Sequence, residues 1–430
     1  MAQAAVGLAA VGLVLSFWLG LRSGARPGSP GATATLLGTV TGMVGMYLAL
    51  IQVVLISRIP ALEHVLGQDG LLRWHRRVAP WPISLLVAHA VLIVIGYGQS
   101  ARTGFLHETV VLVLDFPNVL AATVALGVMV AIGIVSLRAI RSRLRRETWW
   151  AIHLYMYLAL ALSFAHVILL GPTFVGHPAL QAAWTALWVV TAGVVLGYRV
   201  GLPVVRSLRH DLRVVEVHPE GAGAVSVVCE GRRLDRMAVS GGQFFAWRFM
   251  VRGMWWQAHP YSLSAGPRAP YVRLTVKQVD DHSRSVAALR PGTRVFVEGP
   301  YGAFTTYALG RRRALLIAGG IGVTALRALL EDLPRESSPV VVVRASSPEH
   351  LYLRDELAEL VRQRRGQLHE LVGSRADVVL DAGLFLSLVQ DLGQRDAFVC
   401  GPPGFVQAAV AALTAAGLPR RAVHAEEFAW

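Results

Sequence analysis

Four histidines have the spacing needed to hold metal ions inside a membrane. His75 and His89 are 14 residues apart, and His153 and His166 are 13 residues apart, in two stretches rich in apolar residues. An α-helix rises about 1.5 Å per residue, so either separation spans roughly 20 Å, which is most of the hydrocarbon core of a bilayer. Two such helices side by side predict two stacked centres, one held by His75 with His153 and the other by His89 with His166.

Paired imidazoles of this kind predict haem. Neutral histidines on both sides of a haem iron leave no open coordination position, which favours electron transfer over chemistry at the iron. Fourteen helical steps return a side chain to within about 40° of its starting direction, whereas 13 steps miss by about 140°. We therefore expect a π-bulge, a 3₁₀ turn or a different tilt in the second histidine helix. For any single one of these histidines, hydrogen bonding to a neighbouring helix is the alternative.

The N-terminal half predicts the elements that hold these histidines. We predict a transmembrane domain of six helices over residues 1–205, in a lipid bilayer, because each apolar run approaches the roughly 20 residues that a span requires. The first run lacks a basic N-terminal region, so it is interpreted as a retained helix and not as a signal peptide. The six runs are Ala5–Leu21, Thr35–Ile56, Ile83–Gly98, Val119–Leu137, Trp149–Leu170 and Trp184–Val200.

Arginine placement predicts the orientation of these helices. Residues 1–210 contain 15 arginines, no lysine and 5 acidic residues, and thus supply ten of the fourteen excess positive charges. Basic short loops stay on the cytoplasmic side, so we expect a multi-pass protein of the plasma membrane whose C-terminal half is cytosolic. Topology accounts for the basic excess, and no nucleic-acid partner is predicted. The basic loops contain Arg58, Arg73, Arg76 and Arg77, and Arg138, Arg141, Arg143, Arg145 and Arg146.

From about Asp211 the apolar pattern changes to short alternating stretches separated by glycine and proline. This pattern predicts a small antiparallel β-barrel over residues 206–308. Within it, His259–Ser264 reads His-Pro-Tyr-Ser-Leu-Ser. An aromatic face can stack on a flavin ring while a hydroxyl hydrogen-bonds the ring nitrogens. The predicted strands are Leu212–His218, Val225–Glu230, Gln243–Phe249, Tyr271–Val279 and Arg294–Glu298.

Residues 309–430 predict an α/β domain with a parallel sheet that binds a nucleotide. The apolar run Arg313–Gly319 leads into a glycine-rich turn and the helical run Ala325–Leu333. Glycine leaves the backbone N–H groups accessible, and both they and the helix dipole attract a phosphate. Candidate cofactor-binding residues in this turn are Gly319, Gly320, Gly322, Val323 and Thr324.

Two further strands carry candidate residues. Arg344 ends the predicted strand Val340–Val343, where an acidic residue would favour the free ribose hydroxyls of NADH. Arginine there favours NADPH, with NADH as the alternative, and a solvated surface charge is the other interpretation. Cys400 ends the predicted strand Ala397–Cys400. Since the chain has only two cysteines, neither a disulfide framework nor a cysteine-ligated iron–sulfur cluster is expected.

Together these motifs resemble the NADPH oxidase and ferric reductase superfamily, in which a six-helix haem domain is joined to a ferredoxin–NADP reductase-like module. The resemblance implies an inner b-type haem on His75 and His153 and an outer one on His89 and His166. It implies that FAD is bound by His259, Pro260, Tyr261, Ser262, Leu263 and Ser264 and by Lys277 and Ser283. Asp280 stands where the family usually has glycine.

The same resemblance implies further roles in the nucleotide domain. Ser374 and Arg375 match a pair that holds the 2′-phosphate of NADPH, after a predicted strand at about Leu368–Val372. Cys400, Gly401 and Pro402 match a turn beside the nicotinamide, which places Cys400 near the hydride path. The segment Glu426–Trp430 is similar to acidic-aromatic tails whose aromatic ring covers the flavin, and both Phe428 and Trp430 are candidates.

We therefore expect a membrane NAD(P)H oxidoreductase. Electrons would pass from cytosolic NADPH through FAD and two haems to a small-molecule acceptor on the outer face, either oxygen, giving superoxide, or a ferric chelate. One alternative is a reductase that delivers electrons to a quinone or to a partner protein at the outer face. A haem-binding membrane sensor without turnover is the non-enzyme alternative.

Overall fold

The chain forms two compact units, Met1–Val200 and Gly201–Trp430. The structure, a computed structural model, describes residues 2–22, 28–66, 68–171, 173–311, 313–374 and 376–428. The division into domains at residues 205 and 308 stays a prediction.

The first unit is helical. The helices are α1 (Ala2–Arg22), α2 (Ala32–Leu55), α3 (Pro60–Leu66), α4 (Gln68–Val78), α5 (Pro80–Ala101), α6 (Phe105–Asp115), α7 (Val119–Val135), α8 (Arg138–Arg141), α9 (Arg146–Leu170) and α10 (Pro178–Leu196). A π-helical segment, Gly197–Gly201, follows α10.

The six predicted apolar runs lie mainly in helices, but fewer than six helices of the described chain meet the length and apolarity needed to cross a bilayer. Four do so, and α6 with α7 makes a fifth if this pair, bent by 112°, counts as one broken span. The first run falls short because only Val6–Arg22 of α1 qualifies as apolar helix. The four are Ala32–Leu55, Gly70–Ala101, Glu147–Leu170 and Pro178–His210.

The two histidine helices differ in regularity. His75 lies on α4 and His89 on α5, with a break at Ala79 between them. Pro80 and Pro82 supply no N–H to the carbonyls four residues before them, which explains the break. In contrast, α9 carries His153 and His166 on one α-helix without a π or 3₁₀ segment in its range Arg146–Leu170. Of the three irregularities predicted for the second helix, a π-bulge and a 3₁₀ turn are thus absent from α9, and a difference in tilt stays a prediction; the interruption lies on the first helix.

Three glycines bring α2 close to α5. A Cβ at Gly38 would lie 3.0 Å from Ile93, and one at Gly45 would lie 3.1 Å from Leu85. A Cβ at Gly42, between them, would lie 2.5 Å from Nδ1 of His89. Small residues at this spacing allow two helix backbones to approach in a membrane, and here they also leave room for an imidazole.

The second unit begins with helix α11 (Leu202–His210) and a closed barrel of six strands, paired in the order β1-β2-β5-β4-β3-β6. Trp247, Phe249, Leu263 and Leu274 fill its core. Helix α12 (Asp281–Val286) follows β5. The strands are β1 (Leu212–Pro219), β2 (Ala224–Glu230), β3 (Phe244–Phe249), β4 (His259–Arg268), β5 (Tyr271–Lys277) and β6 (Arg294–Tyr301).

The rest of this unit is a parallel sheet of five strands in the order β11-β10-β7-β8-β9. Strand β7 has the bounds that the sequence predicts, whereas β11 lies in a segment for which no strand was predicted. In parallel sheets, ligands bind beyond the carboxyl ends of the strands. The strands are β7 (Arg313–Gly319), β8 (Val340–Ala345), β9 (Gln367–Val372), β10 (Arg395–Gly401) and β11 (Val423–Glu427), and the helices are α13 (Val323–Asp332), α14 (Arg354–Gln363), α15 (Ala382–Leu388) and α16 (Pro403–Ala415).

Candidate functional site

The structure brings the four histidines together as two pairs. The ring centres of His75 and His153 lie 6.3 Å apart, and those of His89 and His166 lie 6.2 Å apart. A ring nitrogen binds a metal ion at about 2.0 Å and lies about 1.2 Å from the ring centre, so imidazoles on opposite sides of one ion should have centres about 6.4 Å apart. The spacing of both pairs therefore fits two imidazole nitrogens that would hold one metal ion between them.

Hydrogen bonds orient three of the four rings. Nδ1 of His89 lies 2.8 Å from the Gly38 carbonyl oxygen, and Nδ1 of His75 lies 3.3 Å from that of Gln52. Nδ1 of His153 lies 3.4 Å from the Ser136 hydroxyl. A proton on Nδ1 leaves Nε2 unprotonated, which is the state that binds a metal.

The fourth ring, His166, differs from the other three. Its Nδ1 is buried and has no hydrogen-bond partner among the described residues. The two centres would thus have unlike surroundings, because only one imidazole of the His89–His166 pair has its second nitrogen bonded.

An aromatic residue that the sequence interpretation missed supports His153. The Trp149 ring stacks on His153 with centres 4.9 Å apart, and its Nε1 donates to Ser136 at 3.3 Å. The Arg141 guanidinium lies over the Trp149 ring, 4.5 Å from its centre. Trp149 precedes His153 by four residues, the helical spacing that could have indicated the contact.

The predicted flavin segment forms the start of β4. The His259 and His282 rings stack with centres 3.5 Å apart, and the Tyr261 hydroxyl lies 3.2 Å from Nδ1 of His282. His282, on α12, was not among the predicted site residues. Pro260 pairs with Ala246 of the neighbouring strand β3. Aromatic rings of two elements therefore meet at the predicted flavin position.

The two serines of this segment have different surroundings. Ser262 is buried, and its hydroxyl has no hydrogen-bond partner among the described residues. Ser264 accepts a hydrogen bond from Nε of Arg273 at 3.2 Å, and Leu263 between them is fully buried in the barrel core. A buried hydroxyl without a hydrogen-bond partner is energetically costly, so Ser262 is suited to bind a ligand. Leu263 and Ser264 instead have structural roles.

Ser283 and Asp280 form the N-terminal cap of α12. The Asp280 carboxylate accepts from the Ser283 N–H at 2.7 Å, and the Ser283 hydroxyl accepts from the Asp280 N–H at 2.9 Å. Burial alone would raise the pKa of the Asp280 carboxyl, but the bonds from Ser283 hold it below its usual value. Asp280 has φ of −139°, so the position does not need glycine. Lys277 ends β5, three residues before this cap.

The glycine turn after β7 packs directly on β10 at Cys400. A Cβ at Gly322 would lie 2.3 Å from the Cys400 carbonyl oxygen, and one at Gly319 would lie 2.7 Å from Phe405. Gly320 has φ of +54°, which glycine adopts without strain. The Thr324 hydroxyl donates to the Ile321 carbonyl at 2.9 Å, and Val323 is fully buried. The backbone of this turn, and not its side chains, is therefore available to a phosphate.

Cys400 and Phe428 also meet at this edge. The Phe428 N–H donates to the Gly401 carbonyl at 2.9 Å, and its side chain packs against the cluster that contains Cys400. Burial raises the pKa of the Cys400 thiol well above its usual range, and the Glu426 carboxylate adds to the rise. Cys400 is therefore a neutral thiol. Pro402 precedes α16, and Trp430 lies outside the described residues.

The predicted 2′-phosphate residues lie at the ends of two neighbouring strands. Nη2 of Arg344 donates to the Gly373 carbonyl at 3.3 Å, beside Ser374. The Ser374 N–H donates to the Asp377 carboxylate at 2.8 Å, and hydrogen bonds from Ser374 lower the pKa of that carboxyl. The Asp377 carboxylate is thus an anion beside a predicted 2′-phosphate residue, and the sequence interpretation did not consider it. Arg375 lies outside the described residues.

Comparisons with known proteins agree with this division into a helical unit and a nucleotide-binding unit. Residues 41–164, which include His75, His89 and His153 and end two residues before His166, match the family described as ferric reductase like transmembrane component. The ferredoxin reductase component of 3-ketosteroid-9-alpha-monooxygenase from Mycolicibacterium smegmatis is 32% identical over 232 residues, which cover 51% of this chain and 65% of that protein.

The chain thus fuses a ferric reductase-like membrane domain to a ferredoxin reductase-like module. An NADPH oxidoreductase from Mycobacterium tuberculosis is 30% identical to this fusion over 199 residues, which cover 44% of the fusion and 52% of that protein. The fusion therefore spans less than two thirds of the length of either relative. The FAD/NAD-binding domain of nitric oxide dioxygenase from Vibrio cholerae is 23% identical and covers 51% of the fusion and 99% of that domain, with a TM-score of 0.41.

The residues of the fusion fit the groups that the two resemblances imply. Two imidazole pairs with ring centres 6.3 Å and 6.2 Å apart fit haem, and the unsatisfied Ser262 hydroxyl beside stacked aromatic rings fits a flavin. The match to a transmembrane family and the four helices of the described chain that are long and apolar enough to cross a bilayer indicate a membrane protein.

Proposed function

We propose that the chain oxidises cytosolic NADPH and passes the electrons through FAD and two b-type haems to an acceptor on the outer face of the plasma membrane. The acceptor is a small molecule, either oxygen or a ferric chelate. Bound FAD would accept a hydride, a two-electron unit, and release single electrons that a haem iron can carry. The chain's residues bind and orient these groups and keep water from the buried ones.

The observation that carries this proposal is the paired spacing of the four histidines. Ring centres 6.3 Å and 6.2 Å apart favour two six-coordinate centres over a set of histidines that merely bond neighbouring helices. A hydrogen-bonded pair would need a nitrogen-to-nitrogen approach of about 3 Å, which leaves no space for an ion. The same spacing favours a redox enzyme over a membrane protein without a metal.

Residue placement in the second unit supports the roles proposed for NADPH. The Gly319–Thr324 backbone would bind the phosphates, Arg344 and Ser374 the 2′-phosphate, and Cys400 would lie beside the nicotinamide. A buried thiol of raised pKa stays neutral at physiological pH, so Cys400 adds no negative charge on the hydride path. The arginine-rich loops support a cytosolic position for this unit.

Stepwise reduction of the purified chain tests the proposal. With NADPH under argon, flavin absorbance should bleach before reduced haem bands appear. In His89→Leu, the flavin should still be reduced while reduction of an outer acceptor fails. In His75→Leu, NADPH should no longer produce reduced haem bands, and reduction of the acceptor should be lost. Normal acceptor turnover in His89→Leu would contradict the pairing.

Two comparisons on the same preparation identify the electron acceptor and the preferred nucleotide. Superoxide dismutase-sensitive dye reduction should be measured against ferrous iron released from a ferric chelate, and reduction of quinone should be measured in parallel. Arg344→Glu should raise the KM for NADPH more than that for NADH. Equal changes in both KM values would remove the role proposed for Arg344.

A further inference from the structure

The loop between β3 and β4 exposes large apolar side chains. Residues 250–256, here called the tryptophan loop, include Met250, Trp255 and Trp256, whose side chains are 38%, 58% and 40% exposed. Met254 of the same loop is buried in the barrel core and fixes the loop to the barrel. Single exposed apolar side chains are common on proteins, but three on one short segment indicate an interaction surface.

The charges around the tryptophan loop are basic. Arg252 within the loop is exposed, Arg248 lies on β3 two residues before it, and residues 244–260 contain no acidic residue. Tryptophan is enriched at membrane interfaces, and arginine is attracted to the anionic lipids of the cytosolic leaflet. Both residue types are also common in protein interfaces. The place of the loop in the fold decides between a lipid and a protein occupant.

The tryptophan loop lies beside the point where the chain enters the barrel from an apolar helix. The Met250 N–H donates to the Arg294 carbonyl at 2.9 Å, and Nε of Arg294 lies 3.5 Å from the Asp211 carboxylate. Asp211 is the single residue between α11 and β1. The helical stretch that it follows, Pro178–His210, is long and apolar enough to cross a bilayer. This end of the barrel is thereby tethered to a helix of membrane-spanning length, which favours the bilayer as the occupant.

Helix α11, on the other side of Asp211, has an exposed apolar side of its own. Ser207 faces the barrel, where its hydroxyl accepts from the Val297 N–H at 3.0 Å. Val205 and Leu208 are exposed on the same helix, together with Arg209. Exposed aliphatic residues and arginine on one amphipathic helix are typical of a segment that lies in a membrane interface. Two neighbouring elements of the barrel therefore have the composition of a lipid-binding surface.

We propose that the tryptophan loop inserts into the cytosolic headgroup layer of the bilayer that holds this chain. Trp255 and Trp256 lie among the headgroups, Arg252 binds anionic lipid phosphates, and together they hold the flavin end of the barrel at the membrane. The loop leads into β4, which starts with His259 at the predicted flavin position. A redox cofactor must be positioned close to the group that it reduces. The inference rests on the proposed function, because only a flavin that reduces a haem inside the bilayer requires this placement.

A nitroxide label on the full chain in lipid nanodiscs tests the inference. The two cysteines of the chain, Cys229 and Cys400, are buried, so an introduced exposed cysteine is labelled selectively. In Met250→Cys, power saturation should show stronger relaxation by lipid-soluble oxygen than by a water-soluble nickel complex. The matched control is Leu386→Cys on α15, an apolar side chain that is 54% exposed, where the order of the two reagents should be reversed.

The combined variant Trp255→Ser and Trp256→Ser should slow the appearance of reduced haem bands, while flavin reduction by NADPH and haem content stay as in the parent chain. Arg252→Gln should lose the acceleration expected when phosphatidylglycerol is added to phosphatidylcholine nanodiscs. A label at residue 250 that nickel relaxes as strongly as the control overturns the inference. So does a label shielded from both reagents in nanodiscs and in detergent, because a protein surface then covers the loop. If NADPH reduces the flavin of the parent chain but never a haem, the proposed function fails instead.

Discussion

Gly42 lies directly against His89, at a position where any Cβ would meet the imidazole. The added carbon would be 2.5 Å from Nδ1 and 3.0 Å from two ring carbons. His89 on α5 can therefore occupy its position only because α2 has no side chain at residue 42.

Gly42→Ala should therefore displace the His89 ring and remove the outer haem. Haem content should fall by about half, and acceptor reduction should fall at least tenfold, because loss of an orienting contact typically costs a metal site tenfold or more. Flavin reduction by NADPH should be unaffected. Pyridine haemochrome analysis and stopped-flow spectra measure these quantities. Gly127→Ala on α7 is the control, since nothing lies within 4 Å of its added Cβ.

The two serines of β4 should give opposite results. Ser262→Ala removes the unsatisfied hydroxyl and should weaken FAD binding about fivefold or more, since a lost hydrogen bond to a neutral group is worth about 1 kcal/mol. Ser264→Ala removes a bond to Arg273 and should lower the thermal stability of the module while the Kd for FAD stays unchanged. Titration of the FAD-depleted chain with FAD measures the difference. Equal FAD affinity in parent and Ser262→Ala would reject the flavin role of Ser262.

Asp377 should reduce the preference for NADPH. Its carboxylate, held ionised by Ser374, lies at the strand ends where a 2′-phosphate is proposed to bind, so the two negative charges repel. Asp377→Asn should lower the KM for NADPH about threefold at low salt, less at high salt, and leave that for NADH unchanged. Asp381→Asn, which alters another exposed aspartate in the same domain, should change neither constant. A parallel fall in both KM values would refute the repulsion.

Glu356 connects the barrel to the nucleotide domain. It accepts two hydrogen bonds from Arg273 at 2.7 Å each and one from Arg327 at 2.8 Å. Glu356→Gln should lower the stability of the module by about 1–3 kcal/mol, less than for a fully buried pair because 37% of the Glu356 side chain is exposed. Glu359→Gln, which affects an exposed pair with Arg362, should have little effect.

The contribution of Glu356 should also depend on pH. Burial alone would raise its pKa, but Arg273 and Arg327 hold it below the usual value of 4.5. The stabilisation is therefore complete above pH 4.5 and is lost as the pH falls through the lower value of the folded state. The midpoints of heat-induced flavin release for parent and Glu356→Gln should differ at pH 7 and converge under acid conditions. A constant difference across that range would show that charge is not the cause.

The sequence was most informative where the pattern of apolar residues is local. Arg313–Gly319 is uniformly apolar between a charged start and a glycine turn, and the structure has a strand with those same bounds. The pairing of histidines across two helices could also be inferred, because both spacings match the thickness of a bilayer. The structure places these pairs at 6.3 Å and 6.2 Å.

What the sequence interpretation missed depends on contacts between elements. The break at Ala79 has a signal, Pro80 and Pro82, but the contact of the Gln52 side chain with it depends on how α2 packs. The role of Asp280 was obscured because comparison with a family glycine ignores that aspartate is itself a good helix cap. The fit of Gly42 against His89 follows from the distance between two helices, which no local pattern determines.

The two sheets of the second unit differ in how they can associate with other chains. A closed barrel has no unpaired strand, so β1 to β6 offer nothing for another polypeptide to extend. The edge strands of the parallel sheet are β9 and β11, and both carry acidic residues. Glu370 lies on β9, and Glu426 and Glu427 lie on β11. Neutralising those acids should turn a dispersed preparation into one that self-associates through its nucleotide domain.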